Sequence, residues 1–217
     1  TAAGARGVTL PGITEEIMVE GLDADYEAIA AACDALLEQV EGANEIRVTT
    51  PIGTDITVEP GDRPWQVDTG INHDPGEFSN LPAGEVFVSP ETANGTYVVD
   101  GTMMPHGRLD DAIEFTVVDG SVTEIGDDTV REQVVTAADE VGRAAYNLAE
   151  LGLGTNTGVT ELIGSVLLDE KAAGTVHLAI GDDAGIGGDT EAPIHLDGIV
   201  TDPTVYADGD PVELPPI

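Results

Sequence analysis

Two of the four histidines lie close to an aspartate in a stretch that could hold a metal ion. His177 lies within the apolar run Thr175–Ile180, which predicts a buried strand. His195 and Asp197 are two residues apart on a second apolar run, so on a strand both side chains point to one face. Imidazole nitrogens and carboxylate oxygens are typical ligands of divalent transition metals. The pattern favours a metal site, and the alternative is one core histidine and one surface histidine.

Two glutamates stand out because their neighbours in the sequence are apolar or glycine. Glu85 opens a hydrophobic run directly after a Pro/Gly turn, and Glu150 lies within the run Leu148–Gly154. Burying an ionised carboxylate is costly unless a cation or strong donors meet it. The chain has only seven basic residues, so a metal ion is an economical counter-charge for both glutamates. The alternative is that each glutamate lies at a strand edge and faces water.

Lys171 is the only lysine of the chain and lies beside the predicted metal site. Its retention in a sequence otherwise without lysine predicts a specific role. That role is either an ion pair with Asp169 or a contact with the substrate or the transition state. Chance retention is the alternative.

Helices and hairpins must position these residues. Apolar residues at helical spacing predict a helix from Asp23 to Val40, which Asp23 caps and after which Gly42 stops the helix. Cys33 lies on the apolar stripe of this helix and is expected to be inert. Further helices are predicted at 128–142 and about 158–168, and a short one near Ile13. Strands are predicted at 45–50, 54–59, 85–89, 95–100, 112–118, 121–125 and 203–206. Residues 60–84 read as a long loop that is functional or covers a site, and 211–216 as a tail. The fold class predicted is α+β, with a mixed, largely antiparallel sheet, about three helices and the metal site at strand ends.

The charge of the chain is strongly negative. Its 217 residues include 42 acidic and 7 basic ones, for a formal net charge of −35, yet 41% are hydrophobic, which argues against disorder. At molar salt the Debye length is about 3 Å, so a folded acidic protein is no longer destabilised by self-repulsion. We therefore expect a halophilic, cytoplasmic protein that binds neither nucleic acid nor membranes.

Several short motifs together resemble the aminopeptidase T (leucyl aminopeptidase) family of metallopeptidases. They are Leu81–Phe87, Ala149–Gly152, Asp169–Lys171 with His177–Gly181, and His195-x-Asp197, and Pro11–Glu16 also fits. The resemblance implies two divalent ions (zinc, cobalt or manganese) held by Glu85, Glu150, His177, His195 and Asp197. It implies an aminopeptidase that releases N-terminal residues from a peptide substrate through a metal-activated water, and in such an enzyme Lys171 would stabilise the oxyanion. It also implies a homodimer, with residues 1–22 as a lead-in from an upstream domain and 23–217 as the catalytic domain.

Two departures from that family keep other functions open. The family's tyrosine ligand corresponds in spacing to Ala184, where Asp182 or Asp183 could replace it, and the loop between the histidines is shorter. A relative of the family uses a His, His, Asp set for one Fe(II) ion and opens a dihydroxypyridine ring with oxygen. His177, His195 and Asp197 would form that site here. A third possibility is a metal-binding relative without catalytic activity.

Overall fold

The computed structural model describes residues 7–9, 14–76 and 78–216, and these form four α-helices and sixteen strands. The helices are α1 (Glu15–Leu22), α2 (Tyr26–Val40), α3 (Asp128–Val141) and α4 (Val166–Asp169). The strands are β1 (Gly7–Thr9), β2 (Ile46–Thr49), β3 (Asp55–Glu59), β4 (Gln66–Asp68), β5 (Phe78–Asn80), β6 (Glu85–Val88), β7 (Thr92–Val99), β8 (Thr102–Met103), β9 (Gly107–Arg108), β10 (Ile113–Val118), β11 (Ser121–Ile125), β12 (Leu148–Gly154), β13 (Val176–Gly181), β14 (His195–Val200), β15 (Thr204–Ala207) and β16 (Asp210–Val212). The predicted α+β class is confirmed. None of the described helices has the length and apolar character required to cross a membrane.

Two seven-stranded antiparallel sheets, rather than one sheet, make up most of the fold. The first has the strand order β11-β10-β7-β3-β2-β15-β16, and the second has the order β4-β6-β12-β13-β14-β8-β9. A separate pair, β1 and β5, is parallel. Residues of both sheets, α2 and α3 contribute to one continuous hydrophobic core. The two sheets can therefore be stable only together, because each has one apolar face to bury.

The middle of the second sheet is covered on both faces. Every residue of β12 and β13 is buried, whereas β2 and β3 of the first sheet alternate between buried and more exposed positions. Polar residues on β12 and β13 are thus buried by the architecture itself. Cys33 on α2 is fully buried, and this burial raises the pKa of its thiol to about 11, in keeping with the inert role expected for it.

The first two long helices lie close to their predicted positions. The cap of α2 is Asp25, whose side chain accepts a hydrogen bond from the Ala28 N–H at 3.0 Å, rather than Asp23. Gly42 follows the helix with a φ of +81°, the left-handed conformation expected of a stop. Helix α3 begins after Asp127, which caps it.

The predicted third helix is wrong over most of its length, because only Val166–Asp169 is helical. Gly164 has a φ of +87°, which no α-helix accommodates. The Asp169 carboxylate accepts hydrogen bonds from the N–H groups of Ile163 and Gly164 at 3.0 and 2.8 Å. Such local bonds from side chain to backbone compete with helix formation.

The remaining differences from prediction concern loops and ends. The predicted long loop 60–84 contains the short strands β4 and β5, and the predicted tail begins inside β16. The short helix predicted near Ile13 is α1, while Ile13 itself lies outside the described residues.

Candidate metal centre

The predicted site residues share one face of four adjacent strands of the second sheet. Across the strand pairs, Ala179 lies opposite both Glu150 and Asp197, Gly181 lies opposite His195, Gly152 lies opposite His177, and Gly154 lies opposite Glu85. Residues directly opposite one another have their side chains on the same face. Glu85, Glu150, His177, His195 and Asp197 therefore project from one face. The alternate residues of the same strands enter the hydrophobic core.

A β-bulge in β12 permits this arrangement. Leu148 pairs with Ile180 and Glu150 pairs with Ala179, so Ala149 is an extra residue in the ladder. Without it Leu148 and Glu150 would share a face, whereas the bulge turns Leu148 into the core and leaves Glu150 on the site face.

Glu150 lies between the two imidazoles. Its Oε1 is 3.3 Å from His177 Nε2, and its Oε2 is 3.1 Å from His195 Nε2. His195 Nε2 is also 3.3 Å from Asp197 Oδ1, and His177 Nε2 is 3.4 Å from Glu85 Oε2. The five residues form two groups that share Glu150, namely Glu85–Glu150–His177 and Glu150–His195–Asp197. Within each group the ligand atoms lie within 4.8 Å of one another.

The two histidines differ in how their other ring nitrogen is held. His195 Nδ1 lies 2.7 Å from the Asp182 carbonyl oxygen, which can only accept a hydrogen bond. Nδ1 must therefore carry a proton, so Nε2, which faces Glu150 and Asp197, is the nitrogen that can bind a metal ion. This arrangement is typical of metal-binding histidines. His177 Nδ1 is buried and has no hydrogen-bond partner among the described residues.

The carboxylates create a strongly negative environment for both imidazoles. Burial alone would lower the pKa of His177, but the hydrogen bond that its imidazole donates to Glu150 and the charges of Glu85 and Glu150 raise it to about 9. Asp197 and Glu150 likewise outweigh burial and raise the pKa of His195 to about 12. Burial raises the pKa of Glu85 to about 8, whereas hydrogen bonds from the two histidines outweigh burial at Glu150 and lower its pKa. The space between these carboxylates and imidazoles therefore favours a positively charged group or ion.

Lys171 is buried beside the group and has two carboxylate partners. Its Nζ is 2.5 Å from Glu85 Oε1 and 2.8 Å from Glu170 Oε1. The predicted ion pair with Asp169 is wrong, because the Asp169 carboxylate is bonded to Thr102 and to the loop before α4. Glu170 was not singled out from the sequence, although its position next to the only lysine was a signal for it.

A cavity of about 690 Å³ opens onto this face. The ligand candidates Glu85, Glu150, His195 and Asp197 contribute to its wall together with Glu170 and Lys171. The rest of the wall is formed by Asn80, Phe87, Met104, Gly164, Ser165, Val166, Leu167 and Ile186. Its volume lies in the range of small-molecule sites, roughly 300–1,000 Å³.

Neither Asp182 nor Asp183 belongs to the two ligand groups of the described residues. The buried Asp183 carboxylate accepts hydrogen bonds from Ser89 Oγ at 3.0 Å and Asn147 Nδ2 at 2.8 Å, and it pairs with Arg63. It therefore anchors the loop before His195. His106 lies apart from the site and contacts Asp127.

The donor set fits a divalent first-row transition metal. The converging atoms are imidazole nitrogens and carboxylate oxygens, which such ions bind. Glu85 Oε2 is buried yet accepts no hydrogen bond from any described residue. A buried oxygen without a donor is costly, and a nearby cation removes that cost.

The fold and these ligand groups define a candidate metal-binding α+β protein. Residues 23–213 match the family model of NicX, 2,5-dihydroxypyridine 5,6-dioxygenase. The chain belongs to this dioxygenase family. No curated protein sequence matches the chain.

Two solved structures share the fold. The structure of 2,5-dihydroxypyridine dioxygenase from Pseudomonas putida KT2440 superposes with a TM-score of 0.79 at 20% identity, over 97% of this chain and 64% of that one. Wild-type AmpT from Thermus thermophilus superposes with a TM-score of 0.64 at 22% identity, over 94% of this chain and 61% of that one. The chain therefore spans less than two thirds of either protein.

The predicted aminopeptidase function is wrong. The family model that matches residues 23–213 is that of a dioxygenase, which is an oxidoreductase and not a hydrolase or protease. The resemblance to aminopeptidase T holds for the fold, as the AmpT superposition shows. Short motifs identify strands and the residue types that bind a metal. The same strands and ligand types are compatible with more than one reaction.

Proposed function

We propose that the chain is the metal-binding part of a ring-cleaving dioxygenase that acts on a dihydroxypyridine with Fe(II) as its cofactor. The match of residues 23–213 to the dioxygenase family carries this proposal. The nitrogen and oxygen ligand groups and the adjoining cavity support it.

The group Glu150–His195–Asp197 is the best candidate for holding the iron. Its histidine is oriented by the Asp182 carbonyl, whereas Nδ1 of His177 has no such partner among the residues described. The set predicted from the sequence contains His177 in place of Glu150. In the structure Glu150 lies between the two imidazoles and contacts both. A bound ferrous ion would activate dioxygen for cleavage of the ring between C5 and C6.

The cavity wall would bind and orient the substrate ring. Phe87, Leu167 and Ile186 give it apolar surface against which a flat aromatic ring can pack. Asn80 and Glu170 lie in the wall outside both ligand groups and can hydrogen-bond the ring hydroxyls. Apolar walls with a few polar groups are usual for small-molecule sites.

The test is iron binding and oxygen uptake. Protein purified without oxygen in molar KCl and loaded with Fe(II) is expected to consume one O₂ per molecule of 2,5-dihydroxypyridine, as both oxygen atoms enter the product. His195→Ala and Asp197→Ala should each lower iron affinity at least roughly 100-fold and abolish oxygen uptake. The reason is that mutation of a residue that only hydrogen-bonds a metal ligand already lowers metal affinity about 10–100-fold. His73→Ala, a change in an exposed loop, is the matched control.

Two outcomes would contradict the proposal. Iron binding without oxygen uptake would indicate a metal-binding protein with no such activity, and full iron content in both variants would place the ion elsewhere. His177→Ala distinguishes the two ligand sets, because loss of iron in that variant would favour the sequence-based set.

The homodimer, the cytoplasmic location and the division at residue 23 stay predictions.

A further inference from the structure

The Lys171 ammonium lies at one of the two ligand groups. Its Nζ contacts Glu85 Oε1 at 2.5 Å, and Glu85 belongs to the group Glu85–Glu150–His177. Glu170 holds the ammonium from another side at 2.8 Å. The Lys171 side chain is only 1% exposed, so its charge acts in surroundings from which water is largely excluded.

The charges around the site favour one metal ion in addition to this ammonium. The ammonium contacts two of the four carboxylates around the site, Glu85 and Glu170, whereas Glu150 and Asp197 lie against His195. One divalent ion at Glu150–His195–Asp197 would give these two carboxylates a cation of their own. A second divalent ion would have to share Glu85 with the ammonium, at a distance where like charges repel strongly in a buried site.

We propose that Lys171 is a built-in counter-cation that takes the place of a second metal ion, so that the centre binds a single divalent ion. This inference rests on the metal centre of the proposed function, but it does not depend on the reaction. An ammonium suits the role because it is a compact point charge with three N–H donors. It also accounts for the single lysine of a chain with 42 acidic residues.

The test is the number of ions bound in Lys171→Met, a change that keeps the chain length and removes the charge. Metal-free protein in molar KCl is titrated with Mn²⁺, and bound ions are counted by mass spectrometry after gel filtration. We expect one Mn²⁺ per chain in the wild type and two in Lys171→Met. Two ions that share Glu150 should also show magnetic coupling in electron paramagnetic resonance, which a merely structural lysine would not produce. Lys171→Arg keeps the charge and should stay at one ion.

Two Mn²⁺ ions in the wild type would overturn the proposal, as would one ion in a folded Lys171→Met protein. If Lys171→Met does not fold, Glu85→Gln gives a second test. The affinity of the Glu85→Gln variant for the single Mn²⁺ should differ less than about tenfold from that of the wild type. Loss of binding would identify Glu85 as a ligand of that ion and overturn the proposal. Failure of oxygen uptake would leave the ion count unaffected, so this proposal and the proposed function fail separately.

Discussion

At the scale of single residues, Gly152 determines whether the His177 side chain fits the site. A Cβ atom at position 152 would lie 1.9 Å from His177 Nε2, well inside van der Waals contact. The imidazole therefore lies against the strand at a position that only glycine allows. The spacing of the histidines indicates nothing of this requirement, since Gly152 lies on another strand, directly opposite His177.

Gly152→Ala is expected to displace the His177 imidazole and to destabilise the protein. Overpacking of this kind costs about 1–3 kcal/mol in the free energy of unfolding. Urea unfolding in molar KCl measures the change. Gly185→Ala is the matched control, because a Cβ atom there has no neighbour within 4 Å. Equal stability of the two variants would show that the sheet adjusts to the added methyl group.

At the scale of elements, the N-terminus of α3 depends on one side chain. Asp127 accepts a hydrogen bond from the Val130 N–H at 2.8 Å and contacts His106 Nε2 at 3.0 Å. Asp127→Ala should lower the free energy of unfolding by about 1 kcal/mol, the usual cost of losing a cap. Asp139→Ala, on the exposed surface of the same helix, is the control and should have little effect. A loss as large in the control would indicate a general effect of charge and not of the cap.

The same cap predicts a pH dependence. Burial alone would raise the pKa of Asp127, but the hydrogen bonds from His106 and the Val130 N–H lower it below its usual 3.8. A group whose pKa is lower in the folded state stabilises the protein above its unfolded pKa, and this contribution is lost as the pH falls through the folded value. The difference between the wild type and Asp127→Ala should therefore be full at pH 6 and shrink below about pH 4. Unfolding measured across that range checks it, and a constant difference would contradict it.

At the scale of the whole molecule, the net charge of −35 predicts that stability depends on salt. The described ion pairs on the surface are few beside the acidic residues, so repulsion among carboxylates is the dominant electrostatic effect. The Debye length falls from about 10 Å at 0.1 M salt to about 3 Å at 1 M. The melting temperature should rise between these concentrations, by about 2–4 °C for each kcal/mol of repulsion removed. Calorimetry in KCl checks this, and an unchanged or lower melting temperature would contradict it.

The sequence by itself predicted the features that depend on local patterns. The α+β class, helices α2 and α3 and most strands follow from the spacing of apolar residues, and they are observed. The sequence also singled out five residues that lie together on one sheet face, because ionisable groups in apolar runs are rare and costly. It could not distinguish an oxygenase from a peptidase, since both are compatible with the same types of ligand.

Only the tertiary structure decided how these residues are combined. It divides the strands into two sheets, turns Glu150 onto the site face through the bulge at Ala149, and pairs Lys171 with Glu85 and Glu170 instead of Asp169. These features depend on strand register between segments far apart in the chain, and a shift of one residue reverses every side chain. Register is set by the packing of the whole core, to which no single stretch of sequence corresponds.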